Sequence, residues 1–164
     1  MLRKILVCTI ATLALAGVAG AQDMQLRLGD SLNLSQSQLE ITSDSLDVDQ
    51  ETGVSTFGGG VVASQGGMRL TAENLRIEYS ENPEDGRQRI DRLVADGGVT
   101  MVTDHEAVEA RQAVYSLAEQ TLEMTGDVVM VQGANVLAGE RFFADLRAGT
   151  GRMSGQVRTL IDLE

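Results

Sequence analysis

The sequence predicts an all-β domain, a wide antiparallel jelly roll built from repeated strands. Three observations predict it. A short unit recurs at fixed spacing, apolar and polar residues alternate with period two inside each unit, and clusters of turn-forming residues separate the apolar stretches.

The recurring unit opens with Gly-x-Val, at Gly59/Val61, Gly97/Val99, Gly126/Val128 and Gly155/Val157. A second element, aliphatic-x-small-x-x-apolar, stands at Ile41/Ser43/Leu46, Leu70/Ala72/Leu75, Val108/Ala110/Ala113 and Leu137/Gly139/Phe142. Successive glycines lie 38, 29 and 29 residues apart. The longer interval contains Glu81-Asn82-Pro83-Glu84-Asp85-Gly86, a run of turn residues, so one repeat is expected to carry a longer loop while the strands keep their register. The Gly-x-Val glycine is expected to mark a bend or bulge where the strand enters the sheet.

Inside the units the side chains alternate. Leu75, Ile77 and Tyr79 interleave with Asn74, Arg76 and Glu78; Leu46 and Val48 with Ser45, Asp47 and Asp49; Leu122 and Met124 with Thr121 and Glu123. Strands with one buried and one wet face read this way. Turns are expected at Asp49–Gly53, Gly66-Gly67, Thr103–Glu106 and Gly149–Gly151. Residues 107–120 have helical propensity, but Val108, Val114 and Tyr115 and the repeat alignment assign them to strand. A parallel β-helix, the rival architecture, would need a tighter period and more coils than this chain supplies.

The first residues have the layout of a secretory leader: Arg3 and Lys4, an apolar run from Ile5 to Val18, and small residues at Ala19-Gly20-Ala21. Cleavage after Ala21 is expected, leaving an edge segment over 22–38 and one domain over 39–164; a retained membrane anchor is the alternative. Cys8, the one cysteine, leaves with the leader, so no thiol, disulfide or cysteine metal site is expected in the mature chain. Lys4 is the one lysine. Losing it with Arg3 leaves eleven arginines against 24 acids, a net charge of −13. Such a domain repels the phosphates of nucleic acids and gains nothing from an anionic membrane surface.

Alternation nominates Val61, Leu70, Leu75, Ile77, Val99, Met101, Met124, Val128, Met130 and Phe142 as inward-facing, with Ala72, Ala110 and Gly139 as small residues that leave room between sheets. The same positions would be aliphatic in any solvent-tight sandwich. Possible edges are the mature start, with Leu26, Leu28, Leu32 and Leu34, and the end, with Val157, Leu160 and Ile161; each reads equally as a frayed terminus.

Catalytic and metal signals are weak. His105 lies in a turn with no second histidine to join it, no Gly-x-Ser-x-Gly elbow accompanies a nucleophile, and the acidic loop 81–85 lacks the ligand spacing of a calcium loop. Asp44, Asp47 and Asp49 read as a wet strand face. Gly58-Gly59-Gly60 reads as a bend, since no lysine or helix follows it. No enzyme activity, cofactor or metal is expected.

Phe57-Gly58-Gly59-Gly60-Val61 with Gln65-Gly66 and Leu70-Thr71-Ala72-Glu73-Asn74-Leu75, then Ala95-Asp96-Gly97-Gly98-Val99, then Thr125-Gly126-Asp127-Val128 with Gln132-Gly133-Ala134-Asn135 and Leu137-Ala138-Gly139, together resemble the repeats of the LptA/OstA-like family of lipopolysaccharide-transport proteins. The resemblance covers about residues 39–145. It implies a twisted, incompletely closed β-jelly roll in the periplasm of a Gram-negative envelope. It implies a groove, lined by the inward residues named above, that shields lipid A acyl chains of lipopolysaccharide. It also implies end-to-end self-association through the edge strands, with an LptC-like inner-membrane protein and an LptD-like outer-membrane protein as partners. The alternatives that remain are a polymerising structural protein without lipid cargo and a membrane-anchored LptC-like component of the same pathway.

Overall fold

The computed structural model describes residues 38–81 and 86–162. Ten strands make one antiparallel sheet: β1 (Glu40–Thr42), β2 (Ser45–Asp49), β3 (Val54–Gln65), β4 (Met68–Glu81), β5 (Gln88–Val102), β6 (Glu106–Ser116), β7 (Thr121–Gln132), β8 (Asn135–Asp145), β9 (Thr150–Ser154) and β10 (Arg158–Leu160). The strands β3 to β8 pair in sequence order as successive hairpins. At one edge β1 and β2 both pair with β3; at the other β9 and β10 both pair with β8. Residues 106–116 form β6, as the repeat predicts and helical propensity does not. The expected leader, over 1–21, and Leu26, Leu28, Leu32 and Leu34 lie outside the described residues.

A line of bulges runs across the whole sheet. Register shifts fall between Gly58 and Val61, between Asp96 and Val99, and between Thr125 and Val128, each against the middle of the next strand. At each shift two successive residues have positive φ: Gly59 and Gly60, Gly97 and Gly98, Gly126 and Asp127. The same pair recurs at Gly155 and Gln156, between β9 and β10. The glycine of the first three Gly-x-Val units thus sits in the middle of a long strand, not at its entry as the sequence suggested, and the fourth, Gly155, lies between β9 and β10. The reason is that one repeat spans two complete strands, and β3, β5 and β7 are each bent at the centre.

The bend folds the sheet over. Residues 61–65, 68–72, 99–102, 106–110, 128–132 and 135–139 form one wing with β1 and β10. Residues 54–58, 74–81, 88–96, 112–116, 121–125 and 141–145 form the other with β2 and β9. Buried side chains from both wings belong to one apolar cluster. Val108, Met124, Val128 and Met130 are 0% exposed, which the opposing wing alone can account for. The small residues Ala72, Ala110 and Gly139 pair with Val61, Val99 or Val128 along the fold line, where the wings converge and volume is scarce.

Gly126 shows what the seam demands. Its φ is +84°, and a Cβ there would lie 2.8 Å from Cβ of Arg111 on β6. Arg111 in turn ion-pairs with Asp127 across the seam. Both the left-handed backbone and the close approach require glycine. The turns are mostly those expected, with two additions at residues 117–120 and 133–134; the turn before β9 falls at residues 146–149, so Thr150 and Gly151 are already strand. At the β2–β3 turn the Asp49 carboxylate accepts N–H bonds from Thr52 (3.0 Å) and Glu51 (2.9 Å), and these, Thr52 foremost, hold its pKa below the ordinary 3.8.

Gly126→Ala should destabilise the domain by about 3 kcal/mol, because strain adds to a steric clash. Gly133→Ala, left-handed but with open space around it, should cost about 1 kcal/mol; urea unfolding of both variants checks the order. A carboxyl-carbon titration should give Asp49 a midpoint below 3.8. Its contribution is then complete above the unfolded-state pKa and fades as the pH falls through the folded one.

Candidate functional site

The wings do not meet everywhere. Around Val108, Met124, Val128, Met130 and Phe142 the packing is dense. Nearer the β1 edge it opens into a cavity of about 530 Å³, counting the part that gives onto solvent. One wall is Leu39, Ala63, Met68, Leu70 and Met101, from the first wing. The other is Leu75, Leu93, Ala95, Ala113, Tyr115 and Leu122, from the second.

Strand register builds each wall. On the first wing Ala63 pairs with Leu70 and Leu70 with Met101, so three side chains from β3, β4 and β5 stand in one inward row. On the second, Leu75 pairs with Ala95 and Ala95 with Ala113. Beside them Leu93 pairs with Tyr115 and Tyr115 with Leu122. Alternating large and small residues along these rows leave the gap: Ala63, Ala95 and Ala113 do not reach across. Ten of the eleven lining residues carry no side-chain polar group. The exception is Tyr115, whose phenol pKa burial pushes above 10.0, so it stays neutral at any physiological pH.

The ten residues nominated from alternation all face inward. Leu70, Leu75 and Met101 line the cavity. Val61, Val99, Met124, Val128, Met130 and Phe142 lie in the dense part of the core, each no more than 2% exposed. Ile77 is buried, paired with Ser55 and Leu93. Sequence reasoning missed Leu39, Ala63, Met68, Leu93, Ala95, Ala113, Tyr115 and Leu122. The same two-residue alternation carries most of them, as in Met68-x-Leu70-x-Ala72 and Leu93-x-Ala95. Which of them border empty space depends on where the wings diverge.

Polar side chains close the inward row at the rim of the first wing. Glu106 and Gln132 are cross-strand partners, and Gln132 Nε2 donates to Glu106 Oε1 at 2.9 Å. Thr103 Oγ1 accepts from the Glu106 N–H at 3.1 Å. His105 is exposed in the adjoining turn, where its N–H donates to Thr103 Oγ1 at 3.3 Å. Among the described residues no group of three or more His, Cys, Asp or Glu could hold a metal.

At the two edges the inward rows run out uncovered. Leu46 and Val48, on β2, continue the rows of Phe57 and Ser55 yet are 53% and 60% exposed. At the opposite edge Val157, Leu160 and Ile161 are exposed, and Leu160 pairs with Val136 on the outer face.

Three comparisons with known proteins bear on this arrangement. A protein from Rhizobium meliloti (strain 1021), described as uncharacterized, is 26% identical over 156 residues, covering 90% of this chain and 83% of the relative. The crystal structure of LptH from Pseudomonas aeruginosa, described as the LptA-homologous periplasmic component of a lipopolysaccharide transport device, superimposes with a TM-score of 0.66 at 15% identity, covering 76% of this chain and 95% of LptH. That likeness establishes a shared fold, a twisted and incompletely closed β-jelly roll. A sequence model of the family described as "LptA/(LptD N-terminal domain) LPS transport protein" matches residues 40–150, from the first strand to the start of β9. The folded sheet, its glycine seam and this match over most of the chain together place the protein in the LptA/LptD N-terminal domain family of lipopolysaccharide transport proteins.

Proposed function

We propose that this domain is a non-enzymatic periplasmic carrier. It shields the lipid A acyl chains of lipopolysaccharide between its wings and bridges inner- and outer-membrane transport components through its edge strands. The apolar cavity carries the reading. A lipid tail in water loses about 0.8 kcal/mol for each exposed methylene, and an apolar lining recovers it. Met68 and Met101 on its wall suit a variable occupant, since an unbranched thioether chain repacks easily.

The chain has a net charge of −11, and lipopolysaccharide is anionic. Binding therefore comes from the buried tails, with the sugar phosphates left in water or bridged by divalent cations. The periplasmic location rests on the leader-like residues 1–21 and on the description of LptH. The expected partners are an LptC-like protein on the inner-membrane side, an LptD-like protein on the outer-membrane side and further copies of the chain itself.

A second reading, a polymerising scaffold without lipid cargo, draws on the dense packing of Val108, Met124 and Met130. Photocrosslinking in cells separates the two. A photoreactive residue at Leu70, Leu93 or Tyr115, each half-buried on the cavity wall, should give ultraviolet-dependent lipopolysaccharide adducts. One at the outward Arg76 or Arg92 should give none. A folded, exported protein with no adduct at any of the three wall sites would leave the scaffold as the answer. Ala113→Phe should fill the cavity and abolish the adduct at Tyr115, at a stability cost of about 1–3 kcal/mol read by urea unfolding. If repulsion between domain and cargo matters, capture should weaken as ionic strength is lowered, measurable by binding at graded salt.

A further inference from the structure

The last strands of the sheet carry a charge opposite to that of the chain. The protein has a net charge of −11. Residues 141–161 nonetheless hold four arginines, Arg141, Arg147, Arg152 and Arg158, against one acid, Asp145. Arg147 Nε donates to Gln120 Oε1 at 3.0 Å, and Asp145 Oδ1 accepts from the Ala148 N–H at 2.8 Å. Arg152 is exposed and makes no ion pair among the described residues.

Strand register gathers a site on the outer face of the second wing. Phe143 on β8 pairs with Glu123 on β7 and with Arg152 on β9, so these three stand in one row. Arg141 pairs with Thr125 and Ser154 one step along the same face, and so lies diagonally from both Glu123 and Arg152. Diagonal neighbours across a ladder are within reach of one another when the side chains are long. Glu123, Arg141, Phe143, Thr150, Arg152 and Ser154 line an open hollow of about 990 Å³, counting the part that gives onto solvent. Phe143, in the middle of the row, is 41% exposed and forms its apolar surface. Nε and Nη2 of Arg141 both donate to Glu123 Oε1, which fixes that guanidinium at the side of the hollow and leaves Nη1 available to a ligand.

Glu123 offsets one of the two guanidinium charges, so a singly charged carboxylate gains less here than a phosphomonoester. The latter carries about −1.5 to −2 at pH 7 and has three acceptor oxygens. Arginine presents a planar fork of N–H donors that matches them. The exposed ring sets apolar surface directly beside these donors; a bare phosphate leaves it wet, and the carbon skeleton of a phosphorylated lipid covers it. We propose that this hollow binds the phosphate group of a phosphorylated lipid, with Arg152 and Arg141 on the phosphate oxygens and Phe143 against the adjoining carbons. The inference takes from the reading above only the class of cargo. The cavity lies beside β1 and the hollow beside β9, near opposite edges of the sheet, so the two serve different positions of the cargo and not two ends of one molecule.

Phosphorus magnetic resonance tests this, with the exported protein titrated by dihexanoyl phosphatidic acid below its micelle concentration. Inorganic phosphate and dihexanoyl phosphatidylcholine form the other arms; the second carries the same tails and reports any uptake by the cavity. Phosphatidic acid should bind saturably and more tightly than either. Arg152→Gln and Arg141→Gln should each weaken it by about three- to tenfold, and Arg92→Gln, which removes the same charge from the same face of β5, by less than about twofold. Arg152→Lys keeps the charge without the fork and should recover only part of the loss. Binding should weaken as salt is raised, the reverse of the dependence expected for capture in the cavity. Equal losses in Arg92→Gln and Arg152→Gln, or no loss in either hollow variant, overturn the site. Inorganic phosphate binding as tightly as phosphatidic acid overturns the lipid as its ligand. Wall-site adducts in cells without phosphatidic acid binding remove the hollow alone; saturable binding here without any wall adduct removes the cavity reading and keeps the hollow.

Discussion

Everything in this domain hangs on a line of left-handed backbone that crosses each odd-numbered long strand at its midpoint. A flat sheet of this width could bury neither face. With Gly59, Gly97 and Gly126 at positive φ, the strands bend together, and the bend brings the two halves of one face into contact. The side chains from Asp44, Glu73, Arg111 and Glu140 occupy the volume that a Cβ at the seam would need. The small residues at the fold line, the inward parity on each wing and the single core all follow from where the bend lies.

Stability and the proposed cargo site draw on the same surface. The described ion pairs, Arg76–Glu78, Arg111–Asp127 and Arg141–Glu123, lie outside in water, where such pairs add little. The folding energy comes from the inward rows. The gap between Leu70, Leu93 and Tyr115 costs stability, since apolar side chains there lack packing partners on one side. On the proposed carrier reading, an acyl chain would supply those partners. The dense end, around Met124 and Val128, keeps the wings joined where the other end opens.

How much of this was legible in the sequence differs by level. The alternation of Leu75, Ile77 and Tyr79 fixed which face turns inward, because a pleated strand admits one parity on each side of a bulge. The recurrence of Gly-x-Val at intervals of 29 residues revealed the repeat. The repeat does not reveal its own phase: a glycine at a strand entry and one at a strand centre have the same spacing, and the pairing of Gly58 with Asn74 is needed to separate them. The cavity was less legible still. Val61 and Leu70 look alike as inward aliphatics, yet one lies on the fold line and is 1% exposed while the other borders open space. That difference arises from the angle between the wings, a property of many residues at once.

Each hairpin of the sheet contains one strand with the left-handed pair and one with the small residue that receives it. The domain is thus modular in steps of two strands. Inserting or deleting a 29-residue unit such as residues 97–125 leaves both outer edges chemically unchanged. Length and end-chemistry are decoupled: the sheet could widen or narrow by altering its count of hairpins, without re-evolving either of its outer edges.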